Sequence, residues 1–199
     1  MRKLTVSINS TVNGVVTGPP TGDETEWKWG SAPVAESLEA FLASLADVDA
    51  ILVGRATYED LVRKWPNFKQ SGQADTTSRL AEKINTTRKI IVSGEPLADL
   101  AWGRFEPVTQ LTGDDLQTQI KRLKRSAGGE IMTFGSPTLV QSLINAKLVD
   151  EFQLIIHPTV VHEGRRLFDN LVGRTHLQLI GVNTFDNGAM RVTYAVKRR

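Results

Sequence analysis

The chain contains no cysteine, which excludes a disulfide scaffold, a thiolate zinc site, an iron–sulfur cluster and a cysteine nucleophile. It also has no apolar stretch near the roughly 20 residues that a membrane-spanning helix requires. Met1-Arg2-Lys3 leads straight into Leu4-Thr5-Val6-Ser7-Ile8, which alternates like a strand and does not resemble a signal peptide. A cytoplasmic protein without membrane contact is expected. Charge of one sign is scarce too: 24 Lys and Arg against 22 Asp and Glu leave a net +2. A pI of about 9.0 therefore predicts no nucleic-acid partner, which would demand a concentrated basic face. Three catalytic signatures are missing as well: G-x-G-x-x-G, G-x-x-x-x-G-K-[ST] and G-x-S-x-G. A standard Rossmann dehydrogenase, a nucleotide triphosphatase and a serine-elbow hydrolase are disfavoured accordingly.

What is present is an ordinary globular mixture, 40% apolar and 23% charged over 199 residues, expected to form a single domain over 1–199. At this size roughly 70% of the unfolded surface can be buried without staples. Strand patterns at 4–8, 50–54, 89–93, 105–108, 131–135 and 151–157 alternate with helical ones. Val34, Leu38, Phe41, Leu42 and Leu45 share one helix face, as do Tyr58, Leu61, Val62 and Trp65, then Leu116, Ile120 and Leu123, then Leu139, Leu143 and Ile144. Thr112-Gly113-Asp114-Asp115 reads as a capping box and Ser136-Pro137 as a helix start. Asp186-Asn187-Gly188 predicts a closing hairpin. The expected architecture is a three-layer α/β/α domain on a mixed sheet of about eight strands, helices on both faces, with an antiparallel C-terminal hairpin.

Three apolar strands end alike, at Gly54-Arg55-Ala56-Thr57, Ser93-Gly94 and Gly135-Ser136-Pro137-Thr138. Beyond such strand ends, helix N-termini present free amides that favour phosphate, and glycine permits close approach. Arg55, Thr57 and Ser136 add side-chain donors, with Ser136 expected to cap its helix. Turn geometry alone would also explain these glycines.

The opening strand with Ser10-Thr11-Val12-Asn13-Gly14, the run Ile51-Leu52-Val53-Gly54-Arg55-Ala56-Thr57-Tyr58-Glu59, and Gly129-Glu130-Ile131-Met132-Thr133-Phe134-Gly135-Ser136 resemble the dihydrofolate reductase superfamily. Leu148-Val149-Asp150-Glu151 and the segment from His157-Pro158 to Leu167-Phe168 are similar to the reductase domain at the C-terminus of the bifunctional riboflavin-biosynthesis deaminase–reductase and its stand-alone bacterial relatives. The resemblance covers nearly the whole chain. It implies an NADPH-dependent reductase acting on an aminouracil-like or pterin-like heterocycle. Gly54, Arg55 and Thr57 would hold phosphates, Ser93 with Gly94 would lie near the adenosine 2′-phosphate, and Gly135, Ser136, Thr138 and Leu139 would line the pyrophosphate and nicotinamide region. The rival reading is a catalytically silent nucleotide-binding or regulatory protein of the same fold.

Two departures concern the substrate. Asn13 stands where the family has aspartate, in a turn that can be left-handed, and Val161-His162-Glu163-Gly164 loses one expected glycine. Where dihydrofolate reductases carry a first-helix carboxylate, the register puts Ser37, so dihydrofolate is not the expected substrate. Asn13, Trp27 and Trp29 are the substrate candidates, the tryptophans as part of a lid, with Asp23, Glu24 and Glu26 beside them. His157 and His162, five residues apart, give no metal site for want of a third ligand. Apolar strands at 152–156 and 177–182 leave a sheet edge, and relatives of the reductase domain pair there, so a homodimer is expected.

Overall fold

A computed structural model describes residues 1–17, 33–68, 75–105, 108–113 and 115–197. The elements run β1 (Leu4–Thr11), β2 (Val15–Thr17), α1 (Ala35–Ser44), β3 (Val48–Gly54), α2 (Arg55–Lys64), α3 (Thr76–Thr86), β4 (Arg88–Val92) and β5 (Val108–Leu111). They continue with α4 (Leu116–Arg125), β6 (Glu130–Phe134), α5 (Pro137–Asn145), β7 (Glu151–His157), β8 (Arg165–Arg166), β9 (Leu177–Thr184) and β10 (Met190–Val196). Eight strands form one mixed sheet in the order β5-β4-β3-β6-β1-β7-β10-β9. The first six are mutually parallel, β10 runs antiparallel to β7, and β9 runs antiparallel to β10.

The central strands are apolar at successive positions because both of their faces are covered. Consecutive side chains point to opposite sides, so Leu52, Ile90 and Ile131 join one core with Leu4, Val6, Ile120 and Leu143, under α4 and α5. Their neighbours Ile51, Ile91 and Met132 join the other, with Tyr58, Leu80, Ile84 and Trp102 beneath the remaining helices. The expected three-layer mixed sheet is what forms, and the C-terminal hairpin turns where Gly188 adopts φ +78° and donates its N–H to Phe185 at 2.9 Å.

Local expectations shift in three places. The fifth strand is not 105–108 but Val108–Leu111, because Phe105 is drawn into a tight bridge whose N–H reaches Trp102 at 3.0 Å. Trp102 is itself fixed, buried with its indole donating to Asn85 Oδ1 at 2.8 Å. At α4 the N-cap is Asp115, and its side chain caps nothing; Gln119 instead donates to the Thr112 carbonyl at 2.8 Å. Periodicity did not reveal the two-stranded ribbon of β2 and β8, too short to carry a pattern. Gly164 makes it fit: at φ +127°, a Cβ there would lie 2.4 Å from the Thr17 carbonyl oxygen.

Buried cations are matched in different ways. Lys124 meets Asp150 and the Leu148 carbonyl. Among the described residues Lys89, 2% exposed, meets the Asn85 carbonyl and the face of Trp102, 4.6 Å from the ring centre. Burial pushes its pKa down from 10.5 to about 7. Between those two values the unfolded chain binds more protons than the folded one, so stability rises with pH from about 7 towards 10. Melting temperatures of Lys89→Met should show a flatter rise across this window than the parent protein. Parallel profiles would refute the assignment.

Candidate active-site cleft

The ends of β3 and β6 lie side by side in the sheet, and a helix starts immediately after each. Neither α2 nor α5 has a side-chain hydrogen bond at its N-cap, so the first amides of both helices remain available. Ser136 was expected to cap α5, but it takes φ +58°, ψ +74°, which turns its hydroxyl away from its own helix. The Oγ accepts from the Gly54 N–H at 3.1 Å and pairs with Thr57 Oγ1 at 2.8 Å. A Cβ on Gly54 would sit 2.3 Å from that Oγ, so the position admits only glycine while Ser136 holds this pose. Gly135, at φ +64°, completes the tight turn.

The structure thus brings Gly54, Arg55, Thr57, Gly135, Ser136 and Thr138 together on one edge. The Leu139 side chain is buried in the core under α5, leaving its backbone amide at the helix start. The Arg55 guanidinium is well exposed and donates to Glu59 at 2.8 Å. The hydrogen bond and charge of Glu59, with a smaller contribution from Glu95, raise its pKa. Ser93 and Gly94 follow β4, one strand further out. The Ser93 hydroxyl is engaged on both sides, donating to the Glu95 carbonyl at 2.7 Å and accepting from Gln110 at 2.6 Å, whereas Gly94 is open.

A cavity of about 660 Å³ adjoins these strand ends, with Thr57 and Gly135 in its wall. Leu38 and Phe41 of α1, Leu61 of α2, and Phe134 make its apolar side. Polar residues of three strands also line it: Ser7 and Asn9 on β1, Gln153 and His157 on β7, Arg191 on β10. Ser37 is at the wall as expected, its hydroxyl exchanged with the Val34 backbone at 2.8 and 3.1 Å. Glu36 and Glu39 are exposed, and Glu39 accepts from Thr76 and Arg79. His157 Nε2 lies 2.9 Å from Asn9 Oδ1, and burial lowers its pKa, favouring the neutral ring. Arg191 donates to the Ala40 carbonyl at 2.6 Å and to Asn183 Oδ1 at 3.1 Å, and burial lowers its pKa as well.

Arg191, Gln153 and Asn9 were not anticipated from sequence, and His157 was read as a strand end. Polar residues at 151, 153 and 157, all of one parity in the otherwise apolar strand Glu151-Phe152-Gln153-Leu154-Ile155-Ile156-His157, were the available signal. Asn13 is committed elsewhere: its amide donates to the Val161 carbonyl at 2.6 Å, its Oδ1 accepts from Thr11 at 2.8 Å, and the left-handed position falls on Gly14. Trp27 and Trp29, like Asp23, Glu24 and Glu26, lie outside the described residues. His162 is exposed beside Glu163 at 3.7 Å, and among the described residues no three metal-ligating side chains cluster. No helix among them is long and apolar enough to cross a membrane.

Strand order and the cleft at the carboxyl ends of parallel strands define a dihydrofolate-reductase-like α/β fold. The chain belongs to the RibD C-terminal domain family, whose model matches residues 2–190. It is 25% identical over 194 residues to the uncharacterized protein YyaP of Bacillus subtilis strain 168, covering 97% of this chain and 94% of that one. Among solved structures it is similar to RibD of Acinetobacter baumannii, with a TM-score of 0.69 and 14% identity over 99% of this chain and 58% of that chain. It is also similar to a dihydrofolate reductase from Enterococcus faecalis complexed with NADP(H) and RAB-propyl, with a TM-score of 0.61 and 14% identity over 98% and 97% of the two chains.

Gly54→Ala should destabilise the fold by about 1–3 kcal/mol through overpacking against Ser136. Gly94→Ala, with open space around it, should leave the melting temperature nearly unchanged. Adding Ser136→Gly to Gly54→Ala removes the clash and the left-handed serine together, so the double variant should recover stability. Failure of that rescue in a thermal melt would show that the contact is not what makes Gly54 necessary.

Proposed function

We propose that the protein is an NADPH-dependent reductase that delivers a hydride to a small, flat, nitrogenous heterocycle of the aminouracil or pterin kind. The observation that carries this reading is the pair of uncapped helix starts, α2 and α5, drawn together by Ser136 at the mouth of a largely apolar cavity. Family membership supports it, as does the fold shared with an Enterococcus faecalis reductase complexed with NADP(H).

The residues present suit the cofactor. Free amides at two helix starts favour a pyrophosphate, and glycine at 54 is what lets Ser136 draw those starts together. Gly54, Arg55, Thr57, Gly135, Ser136, Thr138 and the Leu139 amide would hold the phosphates and the nicotinamide end, with Ser93 and Gly94 near the adenosine. NADPH supplies the hydride when bound, so the protein needs no nucleophile. The chain's own residues position the two rings, and Leu38, Phe41, Leu61 and Phe134 keep water from the space between them.

A homodimer belongs to the same proposal. β9 is an edge strand, and Leu179 and Val182 are 54% and 52% exposed on it. By their pairing with Tyr194 and Val192, both extend the face that α4 and α5 cover elsewhere. Met190 on β10 lies on the same face. An uncovered apolar sheet face of this kind is expected to bury at least about 1,000 Å² against a second copy.

NADPH fluorescence should titrate saturably with the protein, and Arg55→Ala combined with Thr57→Ala should weaken binding about tenfold or more. Unchanged affinity in that variant would remove the cofactor assignment. Light scattering at micromolar concentration should give the mass of two chains, falling to one in Leu179→Lys/Val182→Lys. A parent protein with the mass of one chain would refute the dimer.

A further inference from the structure

We infer that a second cavity, at the opposite end of β7 from the cleft, binds a small organic phosphate monoester of nucleotide size, its phosphate held by Lys147, Arg174 and Lys197. The cavity measures about 710 Å³, and its base is apolar, made by Ile144 of α5, Val149 before β7, Phe152 of β7 and Val196 of β10. Phe152 points to the other face of the sheet from Gln153, which lines the cleft. The two cavities share no lining residue, so this site does not depend on the reductase reading.

The rim is cationic. Lys147, Arg174 and Lys197 line it together with Thr175 and His176, all exposed, and no Asp or Glu does so among the described residues. Three full positive charges at one cavity are a local excess in a chain whose net charge is +2. Among the described residues none of the three is paired with a carboxylate, whereas Arg2, Lys3 and Lys124 all are. The Lys197 N–H donates to the His176 carbonyl at 2.9 Å, which joins the two chain segments of that side of the rim.

On the α5 side, Lys147 is placed against its backbone preference. Ala146 caps the helix, the Lys147 N–H donates to the Ile144 carbonyl at 2.9 Å, and the Leu148 N–H reaches the Leu143 carbonyl at 3.0 Å. In this closing turn the residue after the cap is left-handed and is usually glycine. Here a lysine takes φ +56°. The carboxyl end of α5 offers it only about half a negative charge, which the three cations of the rim together exceed.

A phosphate monoester carries up to about two negative charges at neutral pH and three strong acceptor oxygens, so it suits several cations better than one carboxylate does. The volume lies within the roughly 300–1,000 Å³ of small-molecule sites and is more than a bare phosphate fills. The remainder leaves room for an organic body above the apolar base.

Adenosine 5′-monophosphate, adenosine and inorganic phosphate are the probes, titrated calorimetrically into the protein at low and at raised salt. The monophosphate should bind, more weakly as salt rises, with inorganic phosphate about tenfold weaker and adenosine not measurable. Lys147→Gly combined with Arg174→Gln should weaken the monophosphate about tenfold or more and leave NADPH affinity unchanged. Lys147→Gly alone should melt no lower than the parent, because glycine adopts the left-handed turn without strain. Arg55→Ala/Thr57→Ala, altered in the cleft, should still bind the monophosphate. Absence of monophosphate binding, equal affinity for inorganic phosphate, or loss of binding in the cleft variant but not in Lys147→Gly/Arg174→Gln would overturn the inference. A light-scattering mass that falls from two chains to one in Lys147→Gly/Arg174→Gln would make the cavity a subunit contact and overturn it as well.

Discussion

The Ser136 hydroxyl, bonded at once to the Gly54 amide and to Thr57, is the contact on which the cleft depends. It joins residues 82 and 79 positions apart, and so ties the ends of two parallel strands that the chain reaches only after several intervening elements. A non-glycine residue in the left-handed region costs on the order of 1–3 kcal/mol, which surrounding structure must offset. Pro137, already suited to the first helical position, and the buried face of α5 supply that support. In return two helix starts stand next to each other, and their dipoles add at one point.

The rest of the site follows from how the sheet changes direction. Six parallel strands deliver their carboxyl ends to one edge, and β10 then returns antiparallel beside β7. That reversal brings Arg191, near the end of the chain, over the middle of β7 and against the first helix, 151 residues from its partner Ala40. Several other inward-facing cations are paired with acids: Arg2 with Asp49, Lys3 with Glu130 and Glu151, Lys124 with Asp150. Among the described residues Arg191 is bound to neutral groups, the Ala40 carbonyl and Asn183 Oδ1.

Much of the fold was legible because burial on two faces writes itself into local composition. Ile51-Leu52-Val53-Gly54 and Ile131-Met132-Thr133-Phe134-Gly135 could hardly be anything but covered strands, and α2 and α5 carry their apolar stripes at helical spacing. Gly54, Thr57 and Ser136 could be picked out from the repeated strand-to-helix ending, and Ser37 from the helix register. The residues that stayed hidden are those whose surroundings come from elsewhere in the chain. Phe105 satisfies a strand pattern yet is captured by Trp102, and Asn13 reads as a turn residue for a ligand yet is spent on Val161.

The sequence by itself determined the alternation of strands and helices, which faces are apolar, the absence of thiol chemistry, and the glycines that must turn. These are properties of short windows, set by side-chain period and backbone freedom. Only the tertiary structure decided that β6 lies between β3 and β1, that the Ser136 hydroxyl serves another strand, and that Arg191 and Gln153 line one cavity. Those outcomes depend on which distant segments become neighbours. A hydrogen bond across more than a hundred residues leaves no periodicity in the chain that makes it.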